Sequence, residues 1–146
     1  MKIKKANLED INKISKVELG SGYHKNRRFN PLPMLKRIFN DKKESIFIIK
    51  EKDKIIAYIT LREDKNIGEV GLFAVLKKHQ GRGIGRKLLR YILQIAKKDK
   101  LKKLVLEVRN DNLKALNLYL KYGFVVTGIR KIKNFKVTKL KMERVL

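Results

Sequence analysis

A chain of 146 residues and 17.1 kDa has the length of one ordinary domain, so residues 1–146 are read as a single domain able to bury its own core. Cysteine is absent, which excludes disulfides, thiolate zinc sites and an acyl-cysteine intermediate; His24 and His79 are the only imidazoles, too few for a catalytic zinc site without carboxylate ligands, and no metal is expected. The 38 Lys and Arg against 14 Asp and Glu leave a formal charge of +24, a field that attracts nucleotide phosphates, nucleic acid, ribosomes or acidic protein surfaces, although compositional drift toward Lys and Ile accounts for it equally well.

Along the chain, residues 2–6 read as a short edge strand, after which Asn7 caps a helix with Leu8, Ile11, Ile14 and Val17 at helical spacing. Gly20 and Gly22 end it. Residues 20–30 are polar and basic and read as a loop; Pro31 and Pro33 then introduce a short helix carrying Met34, Leu35, Ile38 and Phe39. Residues 45–49 and 54–61 are β-branched and aromatic runs joined by Glu51-Lys52-Asp53, which predicts a hairpin, and a third strand follows over 67–76. Residues 83–97 place Ile84, Leu88, Leu89, Ile92 and Ile95 on one face against Arg and Lys on the other, an amphipathic helix. A strand over 104–108, a helix over 111–122 with Leu113, Leu116, Leu118 and Leu120 before Gly123, and strands over 124–130 and 136–146 complete the order βααβββαβαββ. This pattern predicts one α/β sheet domain covered by helices. No apolar run approaches the roughly 20 residues of a membrane span, and Met1 leads straight into Lys2-Ile3-Lys4-Lys5, so a cytoplasmic protein with no membrane partner is expected.

The chemistry concentrates where Leu72-Phe73-Ala74-Val75-Leu76 runs through Lys77-Lys78-His79 into Gln80-Gly81-Arg82-Gly83-Ile84-Gly85-Arg86. Three glycines at a strand-to-helix turn remove the Cβ atoms that keep a ligand from the backbone, and a helix start offers unpaired N–H groups with partial positive charge. That combination suits a pyrophosphate, with Arg82, Arg86 and Lys87 adding full charges. A dinucleotide fingerprint starting at Gly81 needs glycine where Arg86 stands, and the Gly-Lys-Ser/Thr ending of a P-loop is missing. The remaining pattern, Gln-x-x-Gly-x-Gly after an apolar strand, resembles motif A of the GCN5-related N-acetyltransferase (GNAT) superfamily. Leu106-Glu107-Val108-Arg109-Asn110-Asp111-Asn112, followed by Ala115, Leu118-Tyr119 and Gly123-Phe124, resembles motif B, closest to the ribosomal-protein N-terminal acetyltransferase (RimI-like) branch. The two motifs together cover residues 69–130; the first half agrees in element order only.

The resemblance implies a mixed central sheet of six or seven strands, splayed between the fourth and fifth and flanked by about four helices. It implies an acetyl-CoA dependent N-acetyltransferase that transfers the acetyl group directly to a primary amine. Phe73, Ala74 and Val75 would hold the pantetheine arm, the amides of Gly81, Arg82, Gly83, Ile84, Gly85 and Arg86 the pyrophosphate, and Asn112 the cofactor near its thioester, with Gln80, which opens the motif, also among the cofactor-binding residues. A backbone N–H near Val75 would face the developing oxyanion. Tyr119 matches the family's proton donor, the alternative being a core tyrosine. Two glutamates compete for the base: Glu107, preferred here, matches the RimI-like position, and Glu69 the histone-type one, while either would also serve to neutralise a nearby cation.

The acceptor is less fixed. Where N-terminal acetyltransferases of this branch carry a tyrosine pair, this chain has Ile129-Arg130-Lys131-Ile132-Lys133-Asn134-Phe135, and Phe135 brings an aromatic wall without a hydroxyl. A protein or peptide N-terminal amine leads, with a small amine or a lysine side chain as alternatives. A basic module that contacts ribosomes or other polyanions on an inherited acyl-CoA fold is the reading from a different class, and the chain is expected as a monomer or homodimer.

Overall fold

The computed structural model describes residues 1–22, 29–133 and 137–146. Its elements are β1 (Ile3–Lys5), α1 (Ile11–Leu19), α2 (Leu32–Asn40), β2 (Glu44–Glu51), β3 (Lys54–Asp64), β4 (Ile67–Val75), α3 (Ile84–Lys98), β5 (Lys103–Arg109), α4 (Leu113–Lys121), β6 (Val125–Lys131) and β7 (Thr138–Val145), the predicted order. The strands form one seven-stranded sheet in the order β1-β2-β3-β4-β5-β7-β6. Every neighbouring pair is antiparallel except β4–β5, the pair that α3 connects. Lys52 and Asp53, then Lys65 and Asn66, all have φ between 48° and 66°. Two successive left-handed residues match the natural twist of the flanking strands, which is why both hairpins close so tightly.

The sheet buries both faces of its first half. On one side α3 packs Leu88, Leu89, Ile92 and Ala96 against Ile59, Leu61, Val70, Leu104 and Leu106, all at most 3 % exposed. On the other, α1 and α2 bring Ile14, Val17, Leu35 and Ile38 onto Ile46, Ile48, Tyr58 and Ala74. Full burial of one such aliphatic side chain contributes roughly 1.5–3 kcal/mol, so these two layers supply most of the favourable energy of the fold.

Three details depart from the sequence reading. Leu8 is 68 % exposed, because Leu8–Asp10 form a 3₁₀ turn and α1 starts only at Ile11, out of phase with it; the Asp10 carboxylate accepts the Asn7 N–H at 2.9 Å across that turn. Pro33 lies inside the first turn of α2, where a missing N–H costs nothing. Leu113 and Leu120 are exposed, and α4 buries Tyr119 instead. His24, Phe135 and the start of the predicted last strand at Lys136 lie outside the described residues. No described helix is long and apolar enough to cross a membrane.

Candidate active site

The site begins with a fork. β4 and β5 pair from Ile67↔Lys103 to Val70↔Leu106, and there the ladder stops, although β4 runs on to Val75 and β5 to Arg109. Opposite β3 the upper half of β4 stays paired, Phe73 with Ile59, Ala74 with Tyr58 and Val75 with Ala57. Between Val70 and Phe73 a bulge sets Gly71 and Leu72 against the single residue Thr60, whose Oγ1 accepts the Leu72 N–H at 2.9 Å. A Cβ on Gly71 would lie 2.6 Å from that oxygen, so the bulge needs glycine there. The Leu76 N–H donates to the Ile56 carbonyl at 2.9 Å, which fixes the phase of the strand. Since N–H and C=O of one residue point the same way and alternate along a strand, those of Phe73 and Val75 point away from β3 toward the slot between β4 and β5, where the Val75 carbonyl accepts from Gln80.

The glycine turn lies at the head of this slot. A 3₁₀ turn over Lys77–His79 follows β4, then Gly81 and Gly83 both take φ of +79°, and α3 starts at Ile84. Gly83 occupies the N-cap without a capping side chain, so the first-turn amides of Ile84, Gly85 and Arg86 have no intrahelical acceptor. A Cβ at Gly81 or Gly83 would meet nothing within 4 Å; the turn opens outward. Gly85 instead sits against the Phe73 ring, where an added Cβ would lie 3.4 Å from it. Arg82 and Arg86 are exposed beside the turn, and Lys87 donates to the Met1 carbonyl.

Gln80 has a fixed position: its side-chain amide donates to the carbonyls of Val75 at 2.9 Å and Ser21 at 2.8 Å. With the Lys77 N–H donated to the Gly20 carbonyl at 3.0 Å, it ties the loop after β4 to the end of α1. Asn112 is the N-cap of α4, its Oδ1 accepting from the Ala115 N–H at 3.3 Å.

Tyr119 and Glu107 flank the slot from opposite faces. Leu104, Leu106 and Val108 of β5 are buried on the α3 side, so the alternating Glu107 projects to the other face, immediately past the last β4–β5 pair. It is exposed, and the Arg130 Nε donates to its Oε2 at 2.9 Å, reaching from β6 across β7. Tyr119 is buried on the α3 and α4 side, its ring 6.5 Å from that of Phe73 and edge-on to Phe124 at 5.7 Å. Glu69 lies below the fork, registered with Arg62 on β3 and Val105 on β5. Burial, with like charge from Asp41 and Glu69 working against Arg62, holds the Glu44 carboxyl above its ordinary range, which places Glu69 in an acidic group around Arg62.

Three participants escaped the sequence reading. Thr60 looks like any strand threonine until the bulge opposite it is seen. Arg130 is 23 residues from Glu107, and only the strand order β5-β7-β6 brings them together. Glu18 on α1 is buried and accepts the Tyr58 hydroxyl; burial first, then the Glu18 charge and hydrogen bond, push that phenol far above its ordinary value. The one advance sign was an acidic residue within the apolar spacing of α1.

Residues 8–124 match the acetyltransferase (GNAT) family. The chain is similar to a probable spermine N(1)-acetyltransferase of Bacillus subtilis subsp. natto (strain BEST195), 36 % identical over 69 residues, 45 % of this chain and 45 % of that protein. It is also similar to the N-alpha-acetyltransferase RimI of Mycobacterium tuberculosis (strain ATCC 25618 / H37Rv), 46 % identical over 63 residues, 43 % of this chain and 38 % of that protein. The matches thus span less than half the length of these curated relatives. In fold the chain is similar to the ribosomal-protein-S18-alanine N-acetyltransferase of Escherichia coli, with a TM-score of 0.86, 20 % identity, and coverage of 97 % of this chain and 91 % of that one.

Proposed function

The chain belongs to the acetyltransferase (GNAT) family, and from that premise we propose that it transfers the acetyl group of acetyl-CoA to a primary amine, with a protein or peptide N-terminal amine as the leading acceptor. The observation that carries this reading is the fork: a slot with free strand edges that runs up to a glycine turn with unpaired helix amides. A diphosphate fits that turn, because no side chain fills it and the amides point at a charge that a helix start favours. The edge groups of Phe73, with Ala74 and Val75 beside them, hold the pantetheine arm as an added strand would be held, while the Val75 carbonyl stays with Gln80 and its N–H is left for the thioester end. Gln80 acts through the loop it braces.

Coenzyme A supplies an acetyl thioester, and the chain supplies alignment and proton handling. Glu107, at the mouth of the slot, takes the first proton from the incoming ammonium, directly or through one water, and leaves a neutral amine. The nitrogen bonds to the acetyl carbon as the carbon–sulfur bond breaks; the Val75 N–H faces the carbonyl oxygen as charge grows there. Tyr119 gives its proton to the departing sulfur and recovers one from solvent, while the second amine proton leaves to water. Glu69 is the alternative base, but its place below the fork among Arg62, Asp41 and Glu44 favours a charge-balancing role. Asn112, as the cap of α4, aims the helix that carries Tyr119.

The spermine acetyltransferase relatives favour a second reading in which the acceptor is a polyamine. The formal charge of +24 opposes it, since a polycation is repelled by such a field. Mass spectrometry of a panel of N-terminal peptides, lysine peptides and polyamines incubated with the chain and isotopically labelled acetyl-CoA tests both. Label on peptide α-amines is expected; label on polyamines alone would replace the first reading by the second.

A further inference from the structure

α1 and α2 cover only the first half of the sheet, packing on β2, β3 and β4. The same face of β5, β7 and β6 has no described helix on it. The register places Glu107 and Arg109 of β5 beside Lys141 and Lys139 of β7, with Arg130 of β6 in line. Glu143, two residues along β7, is already engaged by Lys103 at 3.0 Å and Lys141 at 3.8 Å, and Arg109 by Asp111 at 2.8 Å. Lys139 has no carboxylate within ion-pair reach among the described residues. This face is therefore an exposed cationic sheet beginning at the mouth of the slot, and among the described residues of β5, β7 and β6 Glu107 is the carboxylate that stands next to the fork. Among the described residues no aromatic ring stands on it to stack a base, which favours a peptide over a nucleic acid as its occupant.

We propose that this face selects acceptors with a carboxylate one or two residues behind the amine, and that Arg130 is the residue that reads it. The inference rests on the reading above in which Glu107 receives the amine proton. The Arg130–Glu107 pair is 57 % and 40 % exposed on its two sides, the kind of surface pair that is weak in water and exchanges partners easily. An incoming Asp or Glu side chain offers Arg130 an equivalent carboxylate, with Lys139 and Lys141 beside it. Glu107, released, is then the free carboxylate at the slot. A cationic acceptor leaves the Arg130–Glu107 clamp closed and meets repulsion as well. Because Arg130 reaches a group bordering the slot, and an extended chain advances about 3.3 Å per residue, the recognised carboxylate belongs close to the N-terminus.

The test compares three hexapeptides with a free N-terminal serine and an amidated C-terminus that differ at the next two positions, Glu-Glu, Gln-Gln or Lys-Lys, with spermine as a non-peptide amine, at saturating acetyl-CoA. The Glu-Glu peptide is expected to exceed Gln-Gln in kcat/KM by about tenfold, chiefly through KM, with Lys-Lys lowest. R130A is expected to bring the acidic and neutral peptides within about twofold of each other, R130K to keep most of the preference, and about 0.5 M salt to narrow it in the wild type. Equal use of acidic and neutral peptides, or a preference that R130A leaves in place, overturns the proposal while the peptide-amine reading stands. Acetylation of spermine without any peptide overturns both. Competition by an oligouridylate 20-mer that R130A relieves overturns the peptide assignment of the face in favour of nucleic acid.

Discussion

From Ile67 to Val70, β4 has a strand on each edge, and Val70 is 3 % exposed in the core between sheet and α3; from Leu72 to Val75 the same strand keeps β3 but has lost β5. The lower half spends its hydrogen bonds on holding the two halves of the sheet together. The upper half leaves an edge open between two buried layers, the place proposed for an extended ligand in the position of a missing strand. One strand thus has a closed and an open half, the second proposed as the binding edge, with the Gly71–Leu72 bulge against Thr60 marking the change.

Breaking the lower half should have the largest effect. Val70→Asp puts an unpaired charge into the core and is expected to remove about 4 kcal/mol, read from the urea midpoint; stability within 1 kcal/mol of wild type, about the scatter of ordinary substitutions, would show that the ladder is not what holds β5 in place. At the slot, Tyr119→Phe is expected to lower kcat about 10²-fold with acetyl-CoA affinity nearly unchanged, since it removes a proton donor and keeps the ring packing against Phe73 and Phe124. Unchanged turnover would return Tyr119 to the core. Gly83→Val should weaken acetyl-CoA about tenfold by titration calorimetry, and the cause is strain at φ +79° rather than a clash, the surrounding space being open.

The smallest effect belongs to the lower half again. Burial, with the Asp99 carboxyl beside it, pushes Glu63 on β3 up to about 6 from 4.5. A raised acid favours the protonated folded form, so its contribution is intact below the unfolded value and is lost as pH climbs from about 4.5 through 6. Glu63 is partly exposed, so solvent screening keeps this loss under about 1 kcal/mol. Urea midpoints near pH 4 and pH 7 should differ by that much, and Glu63→Gln should flatten the difference.

The elements were legible in the sequence because their periodicities are clean: Leu88, Leu89, Ile92 at helical spacing, β-branched runs over the hairpin, glycines at the turn. What was less legible depends on contacts far apart in the chain. Leu8 has helical spacing but precedes the helix, and Leu113 belongs to a helix too short to need it. Gln80 reads as part of a ligand motif, whereas its amide is committed to two carbonyls of the protein. The fork itself was expected only through the family resemblance, since no residue in β4 or β5 announces where a ladder will stop. Arg130 was invisible for the same reason, since topology alone carries it to Glu107.

Amide NMR of the ¹⁵N-labelled chain titrated with coenzyme A tests the central claim most directly. The open edge and the helix start should respond together, with large shifts at Phe73, Val75 and Gly81 through Arg86 and little change at Ile67 through Val70. Saturable binding that leaves those amides unmoved, or moves the closed half of β4 instead, would contradict the account.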